Sequence, residues 1–457
     1  MRHAPARISV PALAAGAVTL VIATAVTQMP AGSGARAATA AATTARPIPA
    51  VSGHFDARVQ GGPLSTSRCV TQLHIRCYSP LQYRAAYDLD PLYARGVTGA
   101  GRTIVVVDSF GSPTIQHDLQ VFDAAWGLPD TTVDVVRAGA VPPFDPADKD
   151  MAGWAGETTL DVEYAHAIAP DARIVLAETP TAETEGVTGF PDMMEAEKRL
   201  VDADVPDVVS QSFDATENTF PGFDRGDFSS LLSLRGAFVD AAAHGVTVLA
   251  ASGDDGAANA RLDGSALLAR PLDSWPSSDP LVTSVGGTRL TLDDSGRRLA
   301  PDAVWSDGYG AGGGGLSAVF RRPYFQNRVR GVVGARRGTP DLSATAAVDG
   351  GAWVYAGYQP AQEGWHVIGG TSEATPLFAG VVALADQAAG RRLGNLNPLL
   401  YALGAGRRAG RNGIVDVTAG DNGFQGVAGY PAGPGYDLAS GLGTFDGTKL
   451  VDALVDS

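Results

Sequence analysis

Five short runs rich in β-branched residues recur along the middle of the chain, at 103–108, 172–177, 207–212, 246–251 and 282–285. Between them lie longer stretches with helical spacing, at 115–126, 157–168, 191–203 and 231–244. Runs this short and this apolar suit strands covered on both faces, as in a parallel sheet. Strand and helix in alternation predict the α/β class, with a doubly wound, mainly parallel sheet flanked by helices. Ligands and chemistry gather at the carboxyl ends of the strands in such sheets. A glycine-rich stretch at 308–315 interrupts the alternation, and one more long helix is expected from Ser372 to about residue 388. An earlier helix is expected over 80–93.

The chain begins as exported chains do. Arg2, His3 and Arg7 precede an uncharged, mostly apolar run at 10–26, and Ala35-Arg36-Ala37 offers a small-residue cleavage site. The expected organisation is a signal peptide over 1–37, a flexible leader or short pro-segment over 38–77, and one large α/β domain over 78–457. An uncleaved anchor is the alternative, but the run is short for a membrane span. Export to the extracellular medium permits disulfides, and the only two cysteines, Cys69 and Cys77, are expected to pair. The formal charge of -15 argues against nucleic acid and anionic membranes as partners, since both select clustered Lys and Arg. A monomer is expected.

Three groups of residues carry chemistry. The first is Glu157 and Asp161, one turn apart on an expected helix. On a wheel of ~100° per residue, both share a face with Leu160, Tyr164, Ala165 and Ile168, while Thr159, Glu163 and His166 lie opposite. The pair therefore sits on the stripe directed at the core. Burial and mutual repulsion both raise carboxyl pKa values, and the two should titrate together. A carboxyl tuned upward serves as acid or base. A solvated i,i+4 pair and a metal-ligating pair are the other readings of the same spacing.

The second group is Gly369-Gly370-Thr371-Ser372-Glu373-Ala374-Thr375-Pro376, followed by an almost wholly apolar stretch to Leu384. Ser372 falls in the first turn of a core helix, where unbonded N–H groups and the helix dipole favour negative charge. A nucleophile attacking a carbonyl suits that place, because its oxyanion forms beside those donors. A plain helix cap is the simpler reading. The third group is Ser252-Gly253-Asp254-Asp255-Gly256, with Asp254 at a strand's carboxyl end. An aspartic acid can hold an oxyanion only while protonated, since the carboxylate has no donor.

A Gly-Thr-Ser-x-x-x-Pro element is shared by subtilisin-type and sedolisin-type peptidases, which differ in the base. None of the seven histidines has a subtilisin-like context. In this order the three groups resemble the sedolisin family of serine-carboxyl peptidases, from about Tyr78 to the C-terminus. The resemblance implies a subtilisin-like fold and an acid-acting endopeptidase or tripeptidyl peptidase working on proteins or peptides. It implies Glu157 as the base for Ser372, Asp161 as its orienting partner, Asp254 as oxyanion donor, and an acyl-enzyme on Ser372. It also implies one structural Ca²⁺ in a C-terminal loop, held by the side chains of Asp416 and Asp437 and the carbonyls of Val417, Gly433 and Gly435; those oxygens are of the hard type calcium selects.

Two departures stand out. The stretch between the expected cleavage site and Cys77 is too short for the family's large folded pro-domain. The substrate-cleft strand ends Ser212-Phe213-Asp214, where the family has Ser-Trp-Gly or similar, so Asp214 adds charge beside the substrate backbone. Two rival readings are carried forward. One is a neutral subtilisin-like protease using Asp108 and a histidine, although Asp108 reads more simply as the cap of the turn after its strand. The other is an inactive calcium-binding module that keeps the fold.

Overall fold

The computed structural model describes residues 53–457, with 60, 264, 265 and 405 excepted. The expected signal peptide and the first part of the leader lie outside the described residues.

Seven strands build the main sheet: β1 (Thr103–Ser109), β2 (Val133–Arg137), β3 (Arg173–Thr179), β4 (Val208–Gln211), β5 (Thr247–Ala251), β6 (Thr283–Arg289) and β7 (Leu342–Thr345). Across the sheet the order runs β6-β5-β4-β1-β3-β2, with β7 also paired to β6. All of these pairings are parallel; a short antiparallel strand, Ala303–Val304, closes the β6 edge. The chain leaves β1 toward β3 and β2, then returns to build β4, β5 and β6 on its other side. The crevice between β1 and β4 is therefore the topological switch point.

Alternate residues of β1 feed two separate cores. Ile104 and Val106 join a cluster with Ile168, Leu377 and Val381, while Val105 and Val107 join one with Met193, Val201 and Phe238. Three helices cover the first face: α1 (Ile115–Trp126), α2 (Lys149–Ile168) and, later in the chain, Thr371–Ala389. The other face is covered by α3 (Phe190–Asp202) and α4 (Gly236–Ala243). With those assigned, Thr371–Ala389 is α5. The expected doubly wound architecture is the observed one.

Local departures have local causes. The helix expected over 80–93 is two, Pro80–Ala86 and Asp90–Ala94, because Asp88 adopts a left-handed φ of 54°. The stretch 231–244 is interrupted by a 3₁₀ turn at Ser233–Arg235, and its regular helix begins only at Gly236. The larger correction concerns the leader. From Gly53 onward the segment is built into the fold: Gly53–Val59 pairs antiparallel with Gly364–Gly369, and Thr66–Gln72 is helical with Ser65 as N-cap. The expected disulfide joins Cys69 to Cys77, and Cys77–Tyr78 pairs with Gly351–Ala356 in the same small sheet. No helix among the described residues is long and apolar enough to cross a membrane.

Candidate active site

The helix α2 carries its carboxylates through the centre of the molecule. Asp148 caps its start by accepting from the N–H groups of Asp150 and Met151. From Trp154 to Ile168 every residue is buried. The wheel reading correctly places Glu157 and Asp161 inside, but its polar face does not exist. Glu163 and His166 are as buried as the pair, since α1 and the strand Gly351–Ala356 cover that side. Glu163 Oε2 accepts the Tyr355 N–H at 3.2 Å, and His166 Nε2 lies 3.0 Å from Pro129 O and 3.2 Å from Asp123 Oδ1.

Opposite Glu157 and Asp161 stands the start of α5. Its N-cap is Gly370 at φ 132°, with no side-chain cap, so neither Thr371 nor Ser372 is the cap residue. The Thr371 N–H is taken by a more distant acceptor: Asp254 Oδ1, at 2.7 Å, which also accepts the Thr371 hydroxyl at 2.9 Å. That bond ties the loop after β5 to the start of α5. The loop is pinned on its other side by the glycine-rich stretch. Gly313 donates to Gly253 O at 2.7 Å, and a Cβ on Gly313 would lie 1.8 Å from Ser252 O, so only glycine fits there.

Glu157, Asp161 and Ser372 are wholly buried, and Asp254 is 6% exposed. Burial is the largest influence on Glu157 and pushes its pKa well up. The Ser372 hydroxyl beside it opposes that shift, the charges of Asp108 and Asp254 add to it, and the Ser212 hydroxyl opposes it. Asp161 is pushed well up too, by burial first and then by Asp108 and Glu157. Its Oδ1 accepts the Ser212 hydroxyl at 2.8 Å. All four expected catalytic residues thus meet in one cluster at the carboxyl ends of β1, β4 and β5.

Two members were not expected. Asp108, at the end of β1, does not cap a turn: neither of its oxygens receives a well-directed hydrogen bond, and it faces the α2 carboxyls. Burial, opposed by the Thr158 hydroxyl and reinforced by Glu178, raises its pKa to about 7. Glu373, next to Ser372, is fully buried, and its pKa is pushed well up by burial, against the Tyr83 hydroxyl and with the charge of Asp254. A single acid at the start of a helix expected to run through the core was the available signal for Glu373.

The expected cleft residues separate. Ser212 turns to Asp161, Phe213 is buried against Phe190 at 5.8 Å between ring centroids, and only Asp214 stays half-buried. Asp214 has a pKa raised to about 6 by burial, with Asp255 and Asp273 adding to the shift after the opposing Ser274 hydroxyl. In the C-terminal loop, Asp437 Oδ2 accepts the Gly433 N–H at 2.8 Å and Asp416 Oδ2 the Gly435 N–H at 2.9 Å. The two carboxylates therefore approach one turn.

A model of the subtilase family matches residues 149–398. Kumamolisin of Bacillus sp. (strain MN-32) is 33% identical over 386 residues, covering 83% of this chain and 64% of that protein. Sedolisin of Pseudomonas sp. (strain 101) is 28% identical over 396 residues, covering 85% of this chain and 63% of that protein. The chain therefore spans less than two thirds of the length of these two relatives. Tripeptidyl-peptidase 1 of Mus musculus is 33% identical over 261 residues, 51% of this chain and 42% of that protein. Among solved structures, Pseudomonas sedolisin (serine-carboxyl proteinase) complexed with two molecules of pseudo-iodotyrostatin superposes with a TM-score of 0.71 at 28% identity, covering 84% of this chain and 99% of that one.

Proposed function

Because the chain belongs to the subtilase family and, within it, to the sedolisin group of serine-carboxyl peptidases, we propose that it hydrolyses peptide bonds in acid, with Ser372 as nucleophile and Glu157 as its base. The observation that carries this reading is the buried approach of Ser372 to Glu157, with Asp254 on the other side of the same helix start.

The chemistry makes opposite demands on two acids. Glu157 must be ionised to take the Ser372 proton, while Asp254 must be protonated to donate to the oxyanion. Isolated carboxyls of similar pKa meet both demands poorly. In a coupled, buried group each ionisation raises the pKa of the rest, so one member ionised with the others protonated becomes the common state over a band of acid pH. As Ser372 Oγ bonds to the substrate carbonyl carbon, its proton passes to Glu157, and the oxyanion is held by Asp254 together with backbone N–H at the start of α5. Return of the proton to the leaving amine breaks the C–N bond and leaves an acyl ester on Ser372, which water then cleaves with Glu157 again as base. Asp161, held by Ser212, keeps Glu157 aligned along α2.

A histidine-based reading is disfavoured by His166, which is fully buried and engaged with Asp123 and Pro129, away from Ser372. Incubation with casein at about pH 3 to 5 tests the proposal, with Ser372→Ala as control. Acid-dependent cleavage lost in the variant is expected; identical behaviour of the two proteins would favour the inactive calcium-binding module instead.

For the structural calcium, the donor set fits. Asp416 and Asp437 flank one turn, and the carbonyls of Val417, Gly433 and Gly435 accept no backbone hydrogen bond among the described residues. Among those residues no group of three or more His, Cys, Asp or Glu side chains forms a metal site, so a cation here would depend on the carbonyls. Bound there, Ca²⁺ would supply rigidity to the loop and no step of the reaction. Export by the N-terminal segment, and action outside the cell, are part of the same proposal.

A further inference from the structure

The net charge of -15 conceals a local inversion. Between Asp307 and Asp341 there is no Asp or Glu, yet six arginines stand at 321, 322, 328, 330, 336 and 337. The structure folds this stretch as a capped hairpin. Strand Gly315–Arg321 pairs with Arg336–Thr339, Arg321 opposite Arg336, and Tyr324–Val329 and Arg330–Val333 form two helical turns across the end.

The arginines have different tasks. Arg337 is fully buried and bound to Asp341 Oδ1 at 2.8 Å. Arg322 and Arg336 brace the cap through Asn327 Oδ1 at 3.1 Å and Ala318 O at 2.6 Å. Arg321, Arg328 and Arg330 are exposed, and among the described residues their side chains make no ion pair or hydrogen bond. Some surface arginines elsewhere are paired, Arg95 with Asp452, Arg173 with Asp134, Arg199 with Glu195 and Arg297 with Asp293, while Arg68, Arg225 and Arg289 are exposed and, among the described residues, make no ion pair. What sets the cap apart is that three unpaired arginines lie within ten residues of one acid-free stretch, and Tyr324 (72% exposed) and Val332 (44% exposed) belong to the same stretch.

We propose that this cap is a docking surface for an anionic lipid bilayer. Guanidiniums around an exposed phenol ring and an aliphatic side chain match the headgroup boundary, where lipid phosphates meet the cations and the amphipathic ring settles at the interface. A soluble polyanion would pair with the arginines but leave Tyr324 and Val332 no role. A folded acidic partner would need roughly 800 Å² of complementary surface with an apolar centre, and two exposed apolar side chains do not supply it. The remaining surface is negative in sum, so it is repelled from such a bilayer and the molecule docks cap first. The cap takes no part in the catalytic cluster, so the proposal stands or falls independently of the peptidase reading.

Co-sedimentation of the full chain with vesicles tests it, using phosphatidylcholine alone and phosphatidylcholine with about one third phosphatidylglycerol. Binding to the anionic vesicles only is expected, weakening as salt shortens the Debye length below about 10 Å. Arg328→Ser with Arg330→Ser should lower partitioning about thirtyfold, with unchanged melting temperature and unchanged peptide hydrolysis. Tyr324→Ser should lower it less. Equal binding to both vesicle types, or undiminished binding by the double variant, would overturn the proposal. So would capture by soluble polyphosphate or polyglutamate without capture by vesicles, which would reassign the cap to a soluble polyanion.

Discussion

Two helices cross the interior side by side, and they are buried for different reasons. From Thr371 to Asp386 α5 is buried throughout, and its sequence after Pro376 is nearly all apolar. The helix α2 is just as buried from Trp154 to Ile168, yet within that span it carries Glu157, Asp161, Glu163 and His166. Burial of α5 is favourable on transfer grounds from Leu377 to Ala385, the apolar stretch between its two buried acids, Glu373 and Asp386. Burial of α2 is not, since each unpaired ionised group would cost several kcal/mol and the groups respond by keeping their protons. The burden runs through the middle of α2 but only near the two ends of α5, and it ties the stability of the molecule to acid.

The largest effects should come from the contact between the two helices. Ser372→Ala and Glu157→Ala should each lower kcat/KM by roughly 10⁴-fold or more, and the double variant scarcely further, because the two act as a unit. A double variant showing the product of the two losses would mean that they act separately. Next comes the loop tied to α5. Asp254→Ala should lose about 10²- to 10³-fold in kcat, while Asp254→Asn, which keeps a donor at every pH, should retain more activity and lose its alkaline limb less sharply.

The third prediction separates burial from catalysis. Glu157, Asp161, Glu163 and Glu373 have pKa values raised well above the ordinary, Asp108 is raised to about 7, and Glu197 and Asp273 to about 8. Apart from the one charge that catalysis places on Glu157, these groups keep their protons in the folded chain where the unfolded chain has lost them. Folding therefore takes up protons, and stability falls as pH rises from about 4 through about 8, by roughly 1.4 kcal/mol per pH unit for each such proton. Melting temperature should be higher at about pH 4 than at about pH 7.5. Glu163→Gln removes one of these groups on the face of α2 away from Ser372, and should flatten the slope without changing the activity profile. The smallest effect is expected at the C-terminal loop. Chelation of calcium, or Asp437→Asn, should lower the melting temperature by a few degrees, on the order of 1 kcal/mol, with little change in kcat measured well below that temperature.

The strands β1, β3, β4 and β5 were legible because an apolar run buried on both faces has little alternative. Ser372, Glu157 and Asp254 were legible because their neighbours in sequence already fix their local geometry. What escaped depended on distant partners. The all-round burial of α2 is set by the surfaces of α1 and the strand Gly351–Ala356, so a wheel drawn from α2 alone gave Glu163 and His166 a solvent they do not have. The strand Gly53–Val59 is fixed by a pairing with Gly364–Gly369, across most of the chain, and its Ala- and Gly-rich surroundings gave no local sign of it. Asp108 was read as a turn cap because nothing in its own segment shows that α2 passes over it. The arginine cap was hidden by summing charge over the whole chain.

In the proposed mechanism a carboxyl, not an imidazole, activates Ser372. The pH dependence of kcat/KM on a quenched peptide, from about pH 2 to about pH 8, tests it most directly for the native chain, Glu157→Ala and His166→Ala. A maximum in acid is expected, with loss of that maximum in Glu157→Ala and its retention in whatever His166→Ala protein folds. A maximum near neutrality that survives Glu157→Ala would contradict it.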